Sequence, residues 1–314
     1  MKGISDKEFS RRQVIQASVA AGVAMAAGPA FAAAASQGEL ITRPVPSTGE
    51  RLPVVGTGTN AYGDSDRAEL KRVLTEMPKL GGKVIDTAFG YRGSEVMIGG
   101  LLAEIGNRDQ FFLATKTPMN GDISNPKAVL DGAFSRLQVD RIDLMQIHNL
   151  YGMDELMPHI KEYKAAGKFR YAGMSTSMDN QYEGIMAAMR RHRPDFVQVD
   201  YSIGNRGAAD NVLPLAQELG CAVLINVPFG GRGRSFFPRV ANVPVPEWAA
   251  QEFDARTWAQ FFIKYIVSHP AVTATIPGTV TLAHLEDNQA GARGRLPNAA
   301  QRKKMEEFWD SLPG

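Results

Sequence analysis

Short apolar runs alternate with longer amphipathic stretches along most of the chain. Runs of four to six residues, such as 84–87 and 222–226, are rich in valine and isoleucine and too short to be helices, so they predict buried strands. Longer stretches, such as residues 94–105, carry apolar residues on one helical face and predict helices that bury that face. Turn and capping residues, such as the glycine at 167, separate the two kinds of segment.

The strand–helix pair repeats eight times, with about 30 residues in each unit. The predicted strands are residues 54–57, 84–87, 111–115, 142–147, 169–172, 196–199, 222–226 and 272–276. The predicted helices are residues 66–77, 94–105, 126–137, 153–166, 178–191, 209–219, 254–267 and 282–290. A short N-terminal β-hairpin of residues 40–42 and 52–55 precedes the first unit, a long loop spans residues 227–252, and an extra C-terminal helix spans residues 301–312.

Regular alternation of strands and helices predicts a parallel sheet, and eight units of uniform composition predict closure into an α/β fold of the (β/α)8 TIM barrel type. The alternative is an open doubly wound sheet, which binds a dinucleotide at a glycine-rich first turn. Gly56 and Gly58 lie in the first turn here, but the third glycine and the helix start of that motif are missing. We therefore predict one barrel domain in residues 40–314.

The first 32 residues have the pattern of a twin-arginine signal peptide. Arg11 and Arg12 precede the weakly hydrophobic, alanine-rich segment 17–27, and Ala30-Phe31-Ala32 forms an Ala-x-Ala cleavage site. The alternative, an uncleaved membrane anchor, is disfavoured because the segment is short and alanine-rich. We expect cleavage after Ala32, a linker at residues 33–39, export in the folded state by the twin-arginine machinery to the periplasm, and no membrane association of the mature form.

Composition narrows the function classes. The chain has 314 residues, of which 44% are hydrophobic and 22% charged, as in ordinary globular proteins. A net charge of +2 is too balanced to indicate a nucleic-acid partner. The single cysteine, Cys221, lies in an apolar run and cannot form an internal disulfide.

Ionisable residues stand at or just beyond the ends of three consecutive predicted strands. Asp86 ends the second strand and Tyr91 follows it, whereas Lys116 and His148 follow the third and fourth. The carboxyl ends of parallel barrel strands meet at one face, where barrel enzymes have their active sites. The sequence therefore predicts that these four side chains form a proton-transfer site.

These residue types suit protonation of a carbonyl oxygen. A tyrosine has a pKa near 10, and a lysine ammonium beside it lowers such a value, while a carboxylate keeps the lysine charged and in place. A histidine near the same oxygen can orient the carbonyl or pass a proton. The accompanying hydride must come from a cofactor, since no side chain can supply it.

The stretch Asp86-Thr87-Ala88-Phe89-Gly90-Tyr91-Arg92-Gly93-Ser94-Glu95 resembles the signature of the aldo-keto reductase family. Ala114-Thr115-Lys116 and Leu144-Met145-Gln146-Ile147-His148 resemble the lysine and histidine motifs of that family. The resemblance implies a nicotinamide-dependent reductase of aldehydes, ketones or sugars. Tyr91 would be its general acid, Lys116 the group that tunes the tyrosine, Asp86 the partner of Lys116, and His148 the group that orients the carbonyl.

The same resemblance implies a set of cofactor-binding residues. Ser175, Thr176 and Gln198 would hold the nicotinamide carboxamide, although the family has asparagine where Thr176 stands, and Tyr201 would stack on the nicotinamide ring. The remaining implied contacts, along the phosphates and the adenosine, are Pro228, Gly230, Arg232, Pro277, Gly278, Thr279, His284 and Asn288.

The implied cofactor is NADP or NAD. Family members often carry Lys and Arg that grip a 2′-phosphate, and Gly278, Val280 and His284 stand at those positions here. Arg232 or Arg234 could compensate from the glycine-rich loop. The sequence predicts no metal site, and we expect a monomer whose only ligand besides the cofactor is a small carbonyl or sugar.

Two other functions compete with this interpretation. A nicotinamide-binding module with little turnover would serve redox sensing or regulation, as in channel-associated relatives of the family. A barrel hydrolase would need a set of metal ligands at the strand ends, and the sequence shows no such set there. The complete set of four ionisable residues favours the reductase.

Overall fold

Eight parallel strands form the central sheet of the computed structural model, which describes residues 38–231, 233 and 235–313. The strands pair in chain order, and the first and last strands are joined as well. The Gly56 amide donates to the Thr275 carbonyl at 2.8 Å, and the Gly58 amide donates to the Pro277 carbonyl at 2.9 Å. The predicted (β/α)8 barrel is confirmed.

Most predicted elements lie within a few residues of their expected positions. The strands of the hairpin and the barrel are β1 (Thr42–Pro44), β2 (Arg51–Pro53), β3 (Thr57–Gly58), β4 (Val84–Asp86), β5 (Phe112–Lys116), β6 (Ile142–Ile147), β7 (Phe169–Ser175), β8 (Phe196–Asp200), β9 (Ala222–Asn226) and β10 (Ala274–Thr275). The α-helices are α1 (Arg67–Glu76), α2 (Ser94–Ile105), α3 (Pro126–Leu137), α4 (Met153–Ala165), α5 (Tyr182–His192), α6 (Val212–Leu219), α7 (Phe237–Val240), α8 (Glu247–Phe253), α9 (Trp258–Val267), α10 (Leu282–Ala290) and α11 (Ala299–Ser311). Short 3-10 turns occupy Tyr62–Asp64, Arg108–Gln110, Asp179–Gln181 and Gly207–Asp210.

The predicted hairpin lies at the amino-terminal end of the barrel. Strands β1 and β2 pair antiparallel, and Val45 and Leu52 are fully buried with the first inward-facing residues of the barrel strands, such as Val84 and Phe112. The hairpin therefore covers the barrel interior at the end opposite the predicted site.

Side-chain alternation along the strands builds a polar layer above an apolar one. Val84, Leu144 and Phe196 face the barrel interior and belong to its buried cluster. Because successive strand residues point to opposite faces, the residues two positions further on also face inward. Those residues are polar: Asp86, Gln146 and Gln198 follow the three apolar residues above by two positions, and Lys116 follows Ala114.

The segment 227–252 contains helices that sequence periodicity does not reveal. It was predicted as a loop, yet α7 and most of α8 lie within it. Trp248 in α8 packs edge-on against Phe253, Phe261 and Phe308, so burial of an aromatic ring against later helices stabilises this short helix. The next helix, α9, accordingly begins at Trp258 after the Thr257 cap and not at residue 254 as predicted.

Phe112 tests the packing of the barrel interior. It is fully buried, and its ring centroid lies 5.7 Å from those of both Tyr171 and Phe196. We expect Phe112→Ala to lower the free energy of unfolding by about 3–5 kcal/mol, because it leaves a cavity among rigid strands. Val96→Ala, at a helix position that is 53% exposed, is the matched control and should change it by less than about 0.5 kcal/mol. Urea denaturation measures both values, and equal losses would contradict the packing described.

Candidate active site

Asp86 and Lys116 form a buried ion pair at the carboxyl-terminal end of the barrel. Lys116 Nζ lies 2.5 Å from Asp86 Oδ2 and also donates to the Thr87 carbonyl at 2.9 Å. Only 1% of the lysine side chain and 2% of the aspartate side chain are exposed. Burial by itself lowers the pKa of Lys116, but the Asp86 carboxylate and then the Tyr91 hydroxyl raise it above its ordinary value. The amine is therefore an ammonium at neutral pH.

Two amide side chains satisfy the other oxygen of Asp86. Gln198 Nε2 donates to Asp86 Oδ1 at 2.9 Å, and Gln146 Nε2 donates to the same atom at 3.2 Å. The three side chains come from the second, fourth and sixth barrel strands, which is the arrangement of one interior barrel layer. Gln198 was predicted to hold a cofactor amide, but its NH2 group is used inside the protein.

Tyr91 lies above this layer, between Lys116 and His148. Lys116 Nζ is 5.1 Å from the centroid of the Tyr91 ring. The Tyr91 and His148 rings are nearly perpendicular, with centroids 5.9 Å apart. The structure thus brings the four predicted catalytic residues together at one place.

The loop that carries Tyr91 is fixed by buried hydrogen bonds. Ser94 Oγ donates to the Thr59 carbonyl at 2.6 Å, which ties this loop to the one after the first barrel strand. Glu95 is 2% exposed, accepts from Thr115 Oγ1 at 2.6 Å, and pairs with Arg136 Nε at 2.5 Å. These bonds connect the start of α2 to the residue before Lys116, so the tyrosine and the lysine are held by one network.

His148 has the opposite electrostatic character to Lys116. Burial and the neighbouring Lys116 ammonium lower the pKa of His148 to about 3, although the backbone hydrogen bond to Thr117 acts in the other direction. Its imidazole is therefore neutral across the physiological range. Its Nδ1 is buried and has no hydrogen-bond partner among the described residues.

An open cavity of about 1120 Å³ extends from this site across the carboxyl-terminal face. It exceeds the roughly 300–1,000 Å³ of most small-molecule sites, so it has room for a large ligand and a second small one. The predicted site residues that line it are Asp86, Tyr91, His148, Ser175, Pro228, Gly230 and Gly278. Lys116 is buried and is not among the lining residues.

The structure corrects the expectation for Tyr201. Gln198 faces the barrel interior, and a residue three positions further along the chain faces the opposite side. Tyr201 is 1% exposed, its ring stacks on that of Tyr265, and its hydroxyl bonds to Tyr265 and Arg302. It is packed among the outer helices and does not line the cavity.

Other predicted cofactor residues are also turned away from the cavity. The Thr176 hydroxyl is fully buried and donates to Gln181 Oε1 at 2.6 Å. Thr279 and Asn288 are almost fully buried and bond to each other at 3.0 Å. Pro277 is buried, and its carbonyl accepts from the Gly58 amide.

His284, predicted as a cofactor contact, lies outside the cavity lining. It is exposed in the first turn of α10. Arg232 and Arg234, predicted as possible phosphate contacts, lie outside the described residues.

Asp200 and Asn226 also line the cavity and were not predicted. Asn226 ends β9, and Asp200 ends β8 beside it in register. The Asp200 carboxylate accepts from Tyr182 at 2.8 Å and from Asn205 at 2.5 Å, and burial, together with the nearby Asp179 charge, raises its pKa above the ordinary value. Strand alternation could have predicted both residues. Asp200 lies two positions after the inward-facing Gln198, and Asn226 lies two positions after the inward-facing Leu224, so both also face inward.

Within residues 38–231, 233 and 235–313, no group of three or more potential metal-ligating side chains occurs. Within the same residues, no helix combines the length and apolar character that a bilayer span requires.

The low pKa of His148 has a measurable consequence for stability. In the unfolded chain a histidine takes up a proton near pH 6.5, whereas His148 in the folded protein does so only near pH 3. Between these values the unfolded state binds more protons, so the free energy of unfolding falls as the pH falls, by about 1 kcal/mol per pH unit. We expect His148→Asn to flatten the slope between pH 6.5 and pH 5, measured by urea denaturation. An unchanged slope would contradict the neutral buried imidazole.

Comparison with known proteins places this geometry in a family. The sequence model of the Aldo/keto reductase family matches residues 54–237. Methylglyoxal reductase YeaE of Escherichia coli is 29% identical over 256 residues, which cover 79% of this chain and 88% of that protein.

Solved structures agree on the fold. A holo-form aldo-keto reductase of Bacillus halodurans superposes with a TM-score of 0.69 at 23% identity, covering 86% of this chain and 96% of that one. An aldo/keto reductase of Klebsiella pneumoniae, in complex with NADP and acetate, gives 0.65 at 22% identity, covering 83% and 93%. Since the family model covers more than half of the chain, this protein belongs to the aldo/keto reductase family and is an oxidoreductase of that type.

Proposed function

We propose that this protein transfers a hydride between a nicotinamide cofactor and the carbonyl carbon of an aldehyde, ketone or sugar, with Tyr91 as the general acid. The observation that carries the proposal is the position of the Lys116 ammonium, which is fixed by Asp86 and Thr87 and lies 5.1 Å from the tyrosine ring centroid. A positive charge fixed at this place favours the phenolate that remains after the proton has left.

The chemistry of the cavity fits such a cofactor. Its lining includes the Ser175 hydroxyl and the Asn226 amide, together with the turn residues Pro228 and Gly230. A bound nicotinamide dinucleotide supplies the hydride. The Klebsiella pneumoniae relative holds NADP, but no Lys or Arg occurs among the described residues of this lining. Titration with both NADPH and NADH therefore decides between NADP and NAD.

The four catalytic side chains have separate tasks. Tyr91 donates its proton to the substrate oxygen, and Lys116 stabilises the charge left on the tyrosine. Asp86 keeps Lys116 charged and in position. The neutral imidazole of His148 can donate a hydrogen bond that orients the carbonyl without competing as an acid.

The cavity has one polar and one apolar side. Asp179, Asp200 and Asn205 offer carboxylates and an amide that suit hydroxyl groups, whereas Phe229 and Phe236 form an apolar wall in the loop after β9. The polar side suits a sugar or another hydroxylated carbonyl compound, and the apolar wall suits an alkyl or aryl aldehyde.

A panel of both kinds of carbonyl, assayed by oxidation of NADPH and NADH, tests the substrate class. Binding of cofactor with no turnover on any member would instead favour the regulatory module.

Tyr91→Phe and Lys116→Met test the general acid. We expect each to keep cofactor affinity within about threefold and to lower kcat by about 10²–10⁴-fold, the usual contribution of a positioned acid. Lys127→Met removes an exposed lysine from α3 and is the matched control, with wild-type kcat expected. Fluorescence titration gives the affinities and steady-state kinetics gives kcat. Wild-type rates in both active-site variants would rule out Tyr91 as the acid.

We also propose that the protein is exported to the periplasm by the twin-arginine machinery and works there as a monomer. The proposed export rests on the pattern of residues 1–32, which lie outside the described part of the chain. Folding with cofactor before export agrees with a route that carries folded proteins.

Substitution of Arg11 and Arg12 by lysine tests this route. We expect the precursor to accumulate in the cytoplasm, whereas the wild type is recovered from the periplasm with residue 33 as its first residue. The matched control replaces the other adjacent pair, Arg190 and Arg191 on α5, by lysine and should be exported normally. Cell fractionation and N-terminal sequencing give the result, and export of the Arg11/Arg12 variant would contradict the proposal.

A further inference from the structure

The amide of Asn226 has a fixed orientation at the cavity wall. Its Nδ2 donates to the carbonyl oxygen of Thr176 at 3.1 Å. A carbonyl oxygen can only accept a hydrogen bond, so the NH2 group must be the one that faces Thr176. The Oδ1 atom therefore points away from Thr176.

That oxygen lacks a donor. Asn226 Oδ1 is buried, and none of the described residues donates to it. A buried acceptor without a partner is unfavourable and is usually satisfied by protein, water or ligand. Because Asn226 is part of the cavity lining, a ligand seated against it can bring the missing donor.

The residues expected to hold the nicotinamide carboxamide are largely engaged elsewhere. The hydroxyl of Thr176, which stands where the family pattern has asparagine, is buried against Gln181. The NH2 group of Gln198 is bonded to Asp86. Asn226, on a different strand, donates to the backbone carbonyl of residue 176 and so brings an amide to the cavity wall beside that position.

We infer that Asn226 replaces that asparagine: its Oδ1 accepts a hydrogen bond from the carboxamide N–H of the nicotinamide and so orients the ring towards Tyr91 and His148. This inference rests on the proposed function. Asn226 is a positioning residue in this assignment, and it discriminates between a carboxamide, which has an N–H, and an acetyl group, which has none.

Calorimetric titration with NADP⁺ and its 3-acetylpyridine analogue tests the inference without any catalytic assay. The wild type should bind NADP⁺ about fivefold to tenfold more tightly than the analogue, the value of one hydrogen bond to a buried acceptor. Asn226→Leu, of similar size but without an acceptor, should bring the ratio close to one. Asn226→Asp keeps an acceptor oxygen and should keep the preference.

Controls separate this result from general damage to the site. Asn180→Leu, at an exposed position on the cavity rim, should leave the ratio at the wild-type value. Thermal unfolding checks each variant, and Asn226→Ser, which also withdraws the oxygen, replaces Asn226→Leu should that protein not fold.

An equal ratio in the wild type and Asn226→Leu, or a wild type that binds both compounds equally, would overturn the inference and leave the proposed function intact. A wild type that binds neither compound would overturn the proposed function as well.

Discussion

The buried ion pair between Lys116 and Asp86 is the constraint on which the rest of the site depends. A charge taken out of water is costly unless it is paired and hydrogen-bonded. Here the lysine reaches the Asp86 carboxylate and the Thr87 carbonyl, and the second carboxylate oxygen accepts from Gln146 and Gln198. The polar interior layer thus offsets the cost of burying a permanent ammonium at the end of an otherwise apolar barrel.

Burial lowers the pKa of two neighbouring bases, but a counter-ion reverses the shift for one of them. Lys116 has a counter-ion within hydrogen-bond distance, and its pKa is raised, whereas His148 has none and lies near the lysine charge, so its pKa falls to about 3. A carbonyl oxygen arriving between them would meet a cation beneath Tyr91 and a neutral imidazole beside it. This division of charge lets one group stabilise the product of proton transfer while the other only positions the substrate.

The sequence predicted the barrel and the proximity of Asp86, Tyr91, Lys116 and His148 well, because both follow from strand alternation. Asp86 ends an apolar run and Lys116 and His148 directly follow one, and parallel strands bring such residues together. The cofactor side was harder. Tyr201 and Thr176 were assigned from a motif. Tyr201 lies three positions after the inward-facing Gln198, and Thr176 lies one position after the inward-facing Ser175. Because side chains alternate along a strand, both point to the opposite face. The helix at Glu247–Phe253 depends on distant aromatic partners, which no local pattern contains.

A double-mutant cycle on Asp86→Asn and Lys116→Met tests the central claim most directly. If the carboxylate acts only by holding the ammonium, removing it after the lysine has gone should cost nothing further. The double variant should then have the kcat/KM of Lys116→Met, within about twofold, although Asp86→Asn alone causes a large loss. Losses that multiply in the double variant would show that the two groups act independently and would contradict the account.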